Sequence, residues 1–261
     1  VMFIKIILCN TPMPNKQQNA FTLIELSIAL VIIGLIVGGV MMGKSLIQQA
    51  EIRSAASHLQ KLETSYRTFQ VKYNCIMGDC ANATEFFGND FIVVGAGCPP
   101  AGGAGNGNGN GDGFIDDAGY GGTWFCEPTQ ALRSLYLSNL LPTKIISPCR
   151  TGNTVYFQSI NDSCGYFYKD DLYSAVTPMK INSINLATFT LGGSVNAAAL
   201  SPVQARLIDE KIDDGKPATG KFRGLDSQLP SDGGIVANSC ETSGVYNLNE
   251  DYTCRALYYL K

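Results

Sequence analysis

Residues 21–43 read FTLIELSIALVIIGLIVGGVMMG, an apolar run of about 23 residues whose single charge is Glu25. Wound as a helix, the run is about 34 Å long, enough to cross a bilayer core of about 30 Å. It stays apolar on every side for about six turns, whereas a helix in a soluble core usually keeps one polar stripe. It is too long for the apolar segment of a secretory signal, and no small-x-small cleavage site follows it.

The flanks of this run set the organisation of the chain. Upstream, residues 13–20 read MPNKQQNA, with Lys16 and no acid. A short basic N-terminus is most simply retained in the cytoplasm while the long remainder is translocated. Residues 1–20 are read as a leader, with Met13 as an alternative start that leaves eight leader residues. Downstream, Ile52, Ala55, Leu59, Leu62, Tyr66, Phe69 and Tyr73 recur at alternating steps of three and four. That spacing lines one face of a helix. Glu51, Arg53, Lys61, Glu63, Arg67 and Lys72 take the other face, and no Pro or Gly interrupts residues 44–73. One helix of about 50 residues is therefore predicted, spanning through residue 43 and amphipathic over 44–73. Its outer stripe needs a globular head, residues 74–261, to cover it.

Ala20 followed by Phe21-Thr22-Leu23-Ile24-Glu25 and an unbroken apolar helix resembles the signal of type IV prepilins and type II secretion pseudopilins. The resemblance covers the N-terminal segment only, and Ala20 stands where the family usually has Gly. It implies cutting between Ala20 and Phe21 by a prepilin peptidase, followed by N-methylation of Phe21. It also implies a role for Glu25. A lone carboxylate in a bilayer segment costs several kcal/mol, so it needs a partner. In the family that partner is the charged N-terminus of Phe21 on a neighbouring subunit; the plainer alternative is a Glu that snorkels to the headgroups. Gly34/Gly38 and Gly39/Gly43 give two small-xxx-small spacings that let helices approach closely.

Composition narrows the rest. The chain has 261 residues, 16% charged, a formal net charge of −3, nine Cys and one His, with a mean hydropathy of +0.06. Without a basic excess, binding of nucleic acid through bulk charge is not expected. One His, His58 on the polar edge of the helix, leaves little room for a His-based metal site or a Ser/His triad. No nucleophile elbow or zinc helix motif occurs, so no enzymatic activity is expected. Thiols at this density indicate an oxidising compartment. Cys9 falls in the leader, which leaves eight. Short loops close most readily, favouring Cys75–Cys80, Cys98–Cys126, Cys149–Cys164 and Cys240–Cys254. The last pair resembles the disulfide-bounded C-terminal loop of type IV pilins.

Within the head, residues 95–123 are Gly-rich and read as a surface loop. Inside it, Asn108-Gly-Asn110-Gly-Asp112-Gly-Phe114-Ile-Asp116 resembles the first nine positions of an EF-hand-type calcium loop. Asn108, Asn110, Asp112 and Asp116 supply side-chain oxygens at positions 1, 3, 5 and 9, and Phe114 a carbonyl at position 7. Position 12 is Gly119, so a Ca²⁺ site here is weak unless Asp117 or a distant acid completes it; the alternative is a metal-free Asn/Gly turn. Asp213 and Asp214 read as a solvated turn, with a second cation site or a partner contact as the sharper alternative.

Residues 128–141 are predicted as a helix with Pro128 at its first position, and residues 201–212 as a helix capped by Ser201. Strands are predicted at Thr154–Ser159, Gly165–Lys169, Ile184–Leu191 and Tyr252–Leu260. The expected fold class is α+β: a long N-terminal helix and an antiparallel-sheet head. The expected function is a structural subunit (pilin, minor pilin or pseudopilin) of a type IV pilus or type II secretion pseudopilus. The alternative is a membrane-tethered, adhesin-like binding module at a filament tip. The resemblance implies, as partners, the prepilin peptidase, other pilin subunits, an inner-membrane assembly platform and the membrane. It places the chain in the bacterial inner membrane with a periplasmic or extracellular head.

Overall fold

A computed structural model describes residues 22–88, 108–116, 126–141, 150–151, 154–155, 157–158, 164–169, 181–187, 198–227, 239–248, 251 and 253–260. The chain divides into two compact units, residues 1–47 and 48–261. In the first, every described residue after Thr22 lies in helix α1, Leu23–Tyr73, which continues into the second. Leu23 to Ile47 leave their large apolar side chains exposed, from 51% at Ile32 and Val37 to 87% at Leu23. This stretch alone, among the described residues, is long and apolar enough to cross a membrane, and none of it is buried.

From Ile52 onward α1 changes character. Ile52, Ala55, Leu59, Leu62, Tyr66 and Phe69 are buried and Tyr73 partly so, along the stripe that the three-four spacing predicts. They share one core with Phe167, Ile184, Leu186, Phe222, Ala256 and Tyr258 of the sheet. Each large side chain so buried contributes about 1.5–3 kcal/mol, which is what holds the amphipathic half of α1 in the head. The helix stops at Tyr73 because Asn74 adopts φ 53°, a left-handed cap that Asn tolerates.

After α1 come α2 (Ala83–Phe87) and α3 (Cys126–Leu137), then short strands β1 (Arg150–Thr151), β2 (Thr154–Val155) and β3 (Phe157–Gln158). Strands β4 (Cys164–Lys169) and β5 (Asn182–Ala187), helix α4 (Pro202–Ile212) and strands β6 (Phe222–Asp226), β7 (Glu241–Thr242), β8 (Val245–Tyr246) and β9 (Cys254–Tyr259) complete the order. Among the described residues, the main sheet has five strands in the order β3-β4-β5-β9-β6, with every pairing antiparallel. In both β5 and β9 every residue is buried, as befits strands covered on both faces. The architecture is α+β, a long helix with an antiparallel-sheet head, as the sequence predicts.

Several boundaries differ from expectation. Helix α3 starts two residues before Pro128 and ends at Leu137. Proline is tolerated there because first-turn N–H groups have no helical acceptor. Strand β5 begins at Asn182, two polar residues earlier than the apolar run suggests, and the described strand ends at Ala187. Helix α4 carries the predicted cap in full. Ser201 accepts from the Gln204 N–H at 3.3 Å, and the Gln204 side chain accepts from the Ser201 N–H at 3.1 Å.

Candidate functional site

The first turn of α1 holds Glu25, the residue expected to act in assembly. Thr22 donates both its N–H and its hydroxyl to Glu25 Oε2, at 2.9 and 2.8 Å, and Thr22 Oγ1 accepts from the Glu25 N–H at 3.3 Å. This is a reciprocal capping box: each residue satisfies a donor that the helix start leaves orphaned. It also holds the carboxylate at the positive end of the helix dipole. Sequence reasoning missed it, although Thr-x-x-Glu before an apolar run is its signature. Ala20 and Phe21, the residues flanking the expected cut, lie outside the described residues.

In the head, residues 108–116 wrap around two acids from elsewhere. Asp79 Oδ1 accepts from the Gly111 N–H at 2.6 Å and Asp79 Oδ2 from the Gly113 N–H at 2.8 Å. Glu127, at the start of α3, accepts from the Asn110 N–H at 3.1 Å and from the Asp116 N–H at 2.8 Å. Within the loop, Asn110 Oδ1 takes the Asp112 N–H at 2.8 Å and Asp112 Oδ1 takes the Phe114 N–H at 2.9 Å. Asn108 turns away and caps the Thr84 N–H of α2 at 2.9 Å. Asn182 of β5 anchors the far side, accepting from the Ile115 N–H and donating to the Gly113 carbonyl and to Tyr66.

Asp79, Asp116 and Glu127 are all buried, with Glu127 fully so. Burial pushes the Glu127 carboxyl up to about 9, against the pull of the Asp116 and Asn110 N–H groups, with the charges of Asp79 and Asp116 adding to the rise. Burial likewise pushes Asp79 up to about 6, against the Gly113 and Gly111 N–H groups. Of the expected ligands, the structure thus brings Asn110, Asp112, Phe114 and Asp116 into one loop and diverts Asn108. Sequence reasoning asked for a distant acid but could name neither Asp79 nor Glu127. Asp117 and Gly119 lie outside the described residues.

Residues 15–41 match the family model of the prokaryotic N-terminal methylation motif. The chain carries a type IV prepilin-like signal. The match contains Ala20, Phe21 and Glu25 and ends inside the exposed apolar half of α1. No curated protein and no solved structure matches the chain significantly.

Among the described residues, two disulfides brace the head. Cys75 bonds Cys80 across the turn after α1, and Cys240 bonds Cys254 at the start of β9. The other two expected pairs involve Cys98 and Cys149, which lie outside the described residues. A further acidic group forms at the end of α4. Asp209, Asp213 and Asp214 bring carboxylate oxygens within 4.8 Å of one another, a spacing that could hold a metal ion. Those oxygens also serve the local turn. Asp213 accepts from the N–H groups of Lys221 and Phe222, and Asp214 accepts from Thr219 at 2.6 Å. Buried Asp209 accepts from the Tyr246 hydroxyl at 2.9 Å, and burial together with Asp213 pushes its carboxyl up to about 8. His58 is half-buried; burial, with Lys61 nearby, holds its imidazole below its usual value.

Proposed function

We propose that the chain is a structural subunit, a pilin, minor pilin or pseudopilin, of a type IV pilus or type II secretion pseudopilus. A prepilin peptidase cuts it between Ala20 and Phe21, and the new N-terminus is methylated. The apolar half of α1 anchors it in the bacterial inner membrane with the N-terminus cytoplasmic and the head in the periplasm. An assembly platform then packs that half against other pilin subunits, and the head faces outward. The subunit carries no catalytic activity of its own. The observation that carries this reading is the coincidence of the methylation motif, residues 15–41, with a helix half whose apolar side chains have no cover. Gly34, Gly38, Gly39 and Gly43 fit the role: an added Cβ at any of them meets nothing within 4 Å, so a neighbouring helix has clear access.

Mass spectrometry of the mature protein tests the reading. The expected chain begins at N-methylated Phe21, and any other N-terminus refutes it. In Glu25→Ala, membrane insertion is expected to survive while filament incorporation is lost; normal incorporation removes Glu25 from the assembly mechanism. The second reading, an adhesin-like binding module at a filament tip, is favoured by a head that occupies residues 74–261. Loss of adhesion in a deletion strain whose filaments persist supports it over the first.

We also propose that residues 108–116 bind a structural Ca²⁺ through Asn110, Asp112, Phe114 and Asp116, without the expected Asn108, which caps α2. The alternating oxygen donors suit a hard cation. A calcium-dependent rise in melting temperature is expected, and its absence at millimolar Ca²⁺ removes the proposal.

A further inference from the structure

We infer that the face of α1 turned away from the head, marked by Arg53, Lys61, Arg67 and Lys72, is an electrostatic docking surface for the acidic head of a second copy of this chain; the inference rests on the filament reading above. Residues 44–73 hold five basic residues against two acidic, a net of +3. Residues 74–261 hold 12 against 19, a net of −7. The sign of the charge is thus divided between helix and head.

Both acids of the helical stretch lie off this face. Glu51 precedes Phe69 by 18 residues, five full turns, and so shares the azimuth of the buried stripe. Glu63 is buried beneath Lys221 and Tyr258. What remains exposed is Arg53, Lys61, Arg67 and Lys72, with Ser, Thr and Gln between them. Arg67 bonds Glu63 and is still 51% exposed, and Lys72 lies over the Tyr73 ring. Arg53 and Lys61 make no ion pair among the described residues. A solvated helix face ordinarily mixes signs, because opposite charges one turn apart stabilise it and like charges do the reverse. Val71, 86% exposed, shares the azimuth of Arg53 and adds an uncovered apolar side chain to the same face.

Several observations select a second copy as the occupant. The same helix carries the apolar half that the filament reading packs against other subunits, so a neighbouring copy is already at hand. That neighbour's head supplies the opposite sign. Its Glu85, Asp112, Asp213 and Asp214 are exposed and make no ion pair among the described residues. A membrane surface fits poorly: Arg53 to Lys72 extends about 28 Å along the helix, against a screening length of about 8 Å at physiological salt. A polyanion in solution meets the net negative charge of the head attached to the same helix. Complementary charge of this kind fixes register between partners more than it adds raw affinity.

Photo-crosslinking in cells that produce the full-length chain tests this, with a benzophenone-bearing amino acid in place of the exposed Thr64, amid the four cations. The expected adduct is a dimer of the chain whose joined peptide contains Glu85, Asp112 or Asp213-Asp214. Adducts to lipid, nucleic acid or another protein, adducts to other segments of the head, or no adduct, overturn the inference. Arg53→Glu combined with Lys61→Glu should lower the dimer yield at least about fivefold, whereas Arg53→Lys with Lys61→Arg should keep it. An unchanged yield in the Glu variant also overturns it. Both side chains are exposed, so melting curves of the Glu variant are expected to match wild type. Should that variant fail to fold, Arg53→Gln with Lys61→Gln decides by the same reading. The N-terminus of the same sample is read by mass spectrometry. A chain that starts at N-methylated Phe21 and gives no such dimer sinks the docking surface alone; any other N-terminus removes the filament reading and the docking surface with it.

Discussion

Glu63 is the residue whose removal should do most to loosen the head from α1. The sequence spacing puts it on the polar face of α1, but it is 8% exposed, because Lys221, just before β6, and Tyr258 of β9 close over it. Lys221 reaches both its oxygens at 2.7 and 3.0 Å, the Tyr258 hydroxyl donates to Oε2, and Arg67 contributes bonds at 2.9 and 3.1 Å. The partners differ in what they lose when the carboxylate goes. The side chains of Lys221 and Arg67 are 39% and 51% exposed and can turn to water, so each bond is worth at most about 1 kcal/mol. Tyr258 is buried and cannot. Its hydroxyl bond to a charged acceptor is worth about 1.5–3 kcal/mol, of which Glu63→Gln keeps part through the remaining amide oxygen. The sum for Glu63→Gln is about 2–3 kcal/mol, which for a head of this size lowers the melting temperature by roughly 5–10 °C.

The pH dependence supplies an internal control. Burial alone pushes the Glu63 carboxyl up, but Lys221, Tyr258 and Arg67 outweigh it and hold the group below its ordinary value. A carboxylate depressed in the folded state contributes stability above its unfolded pKa of about 4.3, and that contribution is lost as pH falls through the lower folded value. The gap between wild type and Glu63→Gln should therefore be full at pH 7 and shrink below about pH 4. Thermal melts of the two mature proteins across this range measure it. A gap under about 1 °C at pH 7, or one that fails to narrow in acid, refutes the reasoning.

Ser201→Ala removes one side of the capping box on α4 and should cost about 1 kcal/mol, read as a lower denaturant midpoint with an unchanged slope. Gly78 has φ +85°, and a Cβ there would lie 2.4 Å from the Glu127 carbonyl oxygen; Gly78→Ala should cost more than about 2 kcal/mol, and a neutral effect on melting would show that the turn relaxes freely. Replacing Cys240 and Cys254 by Ser opens a loop with a sequence separation of 14 and should cost about 3 kcal/mol, checked by urea unfolding under non-reducing conditions.

The elements legible in the sequence are those whose side chains repeat with a clear period. The three-four spacing from Ile52 to Tyr73 marks the buried stripe of α1, and Ser201-Pro202 marks the start of α4. Strand β6 escaped notice because Phe-Arg-Gly-Leu-Asp shows neither an apolar run nor β-branched residues. Its Gly224 is explained only by the fold: a Cβ there would lie 2.3 Å from the Tyr246 ring. The β7–β8 hairpin did carry a signal, Ser243-Gly244 with φ 55° and 78°, the two positive values that a tight two-residue turn demands.

The two sites differ in legibility for a physical reason. At the start of α1 every participant is local: Thr22 and Glu25 are three residues apart, and the methylation motif is contiguous over residues 15–41. A contiguous run can be read as a run. The loop of residues 108–116 shows only half of its chemistry in line. Asp79 reaches Gly111 across 32 positions and Glu127 reaches Asn110 across 17, and neither is adjacent to any oxygen-rich pattern. What brings them in is the disulfide-closed turn at Cys75–Cys80 and the packing of Gly78 against α3, where the glycine leaves no room for a Cβ beside Glu127 and Ala131. Here the fold delivers two buried carboxyls to the same backbone, where each accepts two loop N–H groups, a role that no in-line motif reveals.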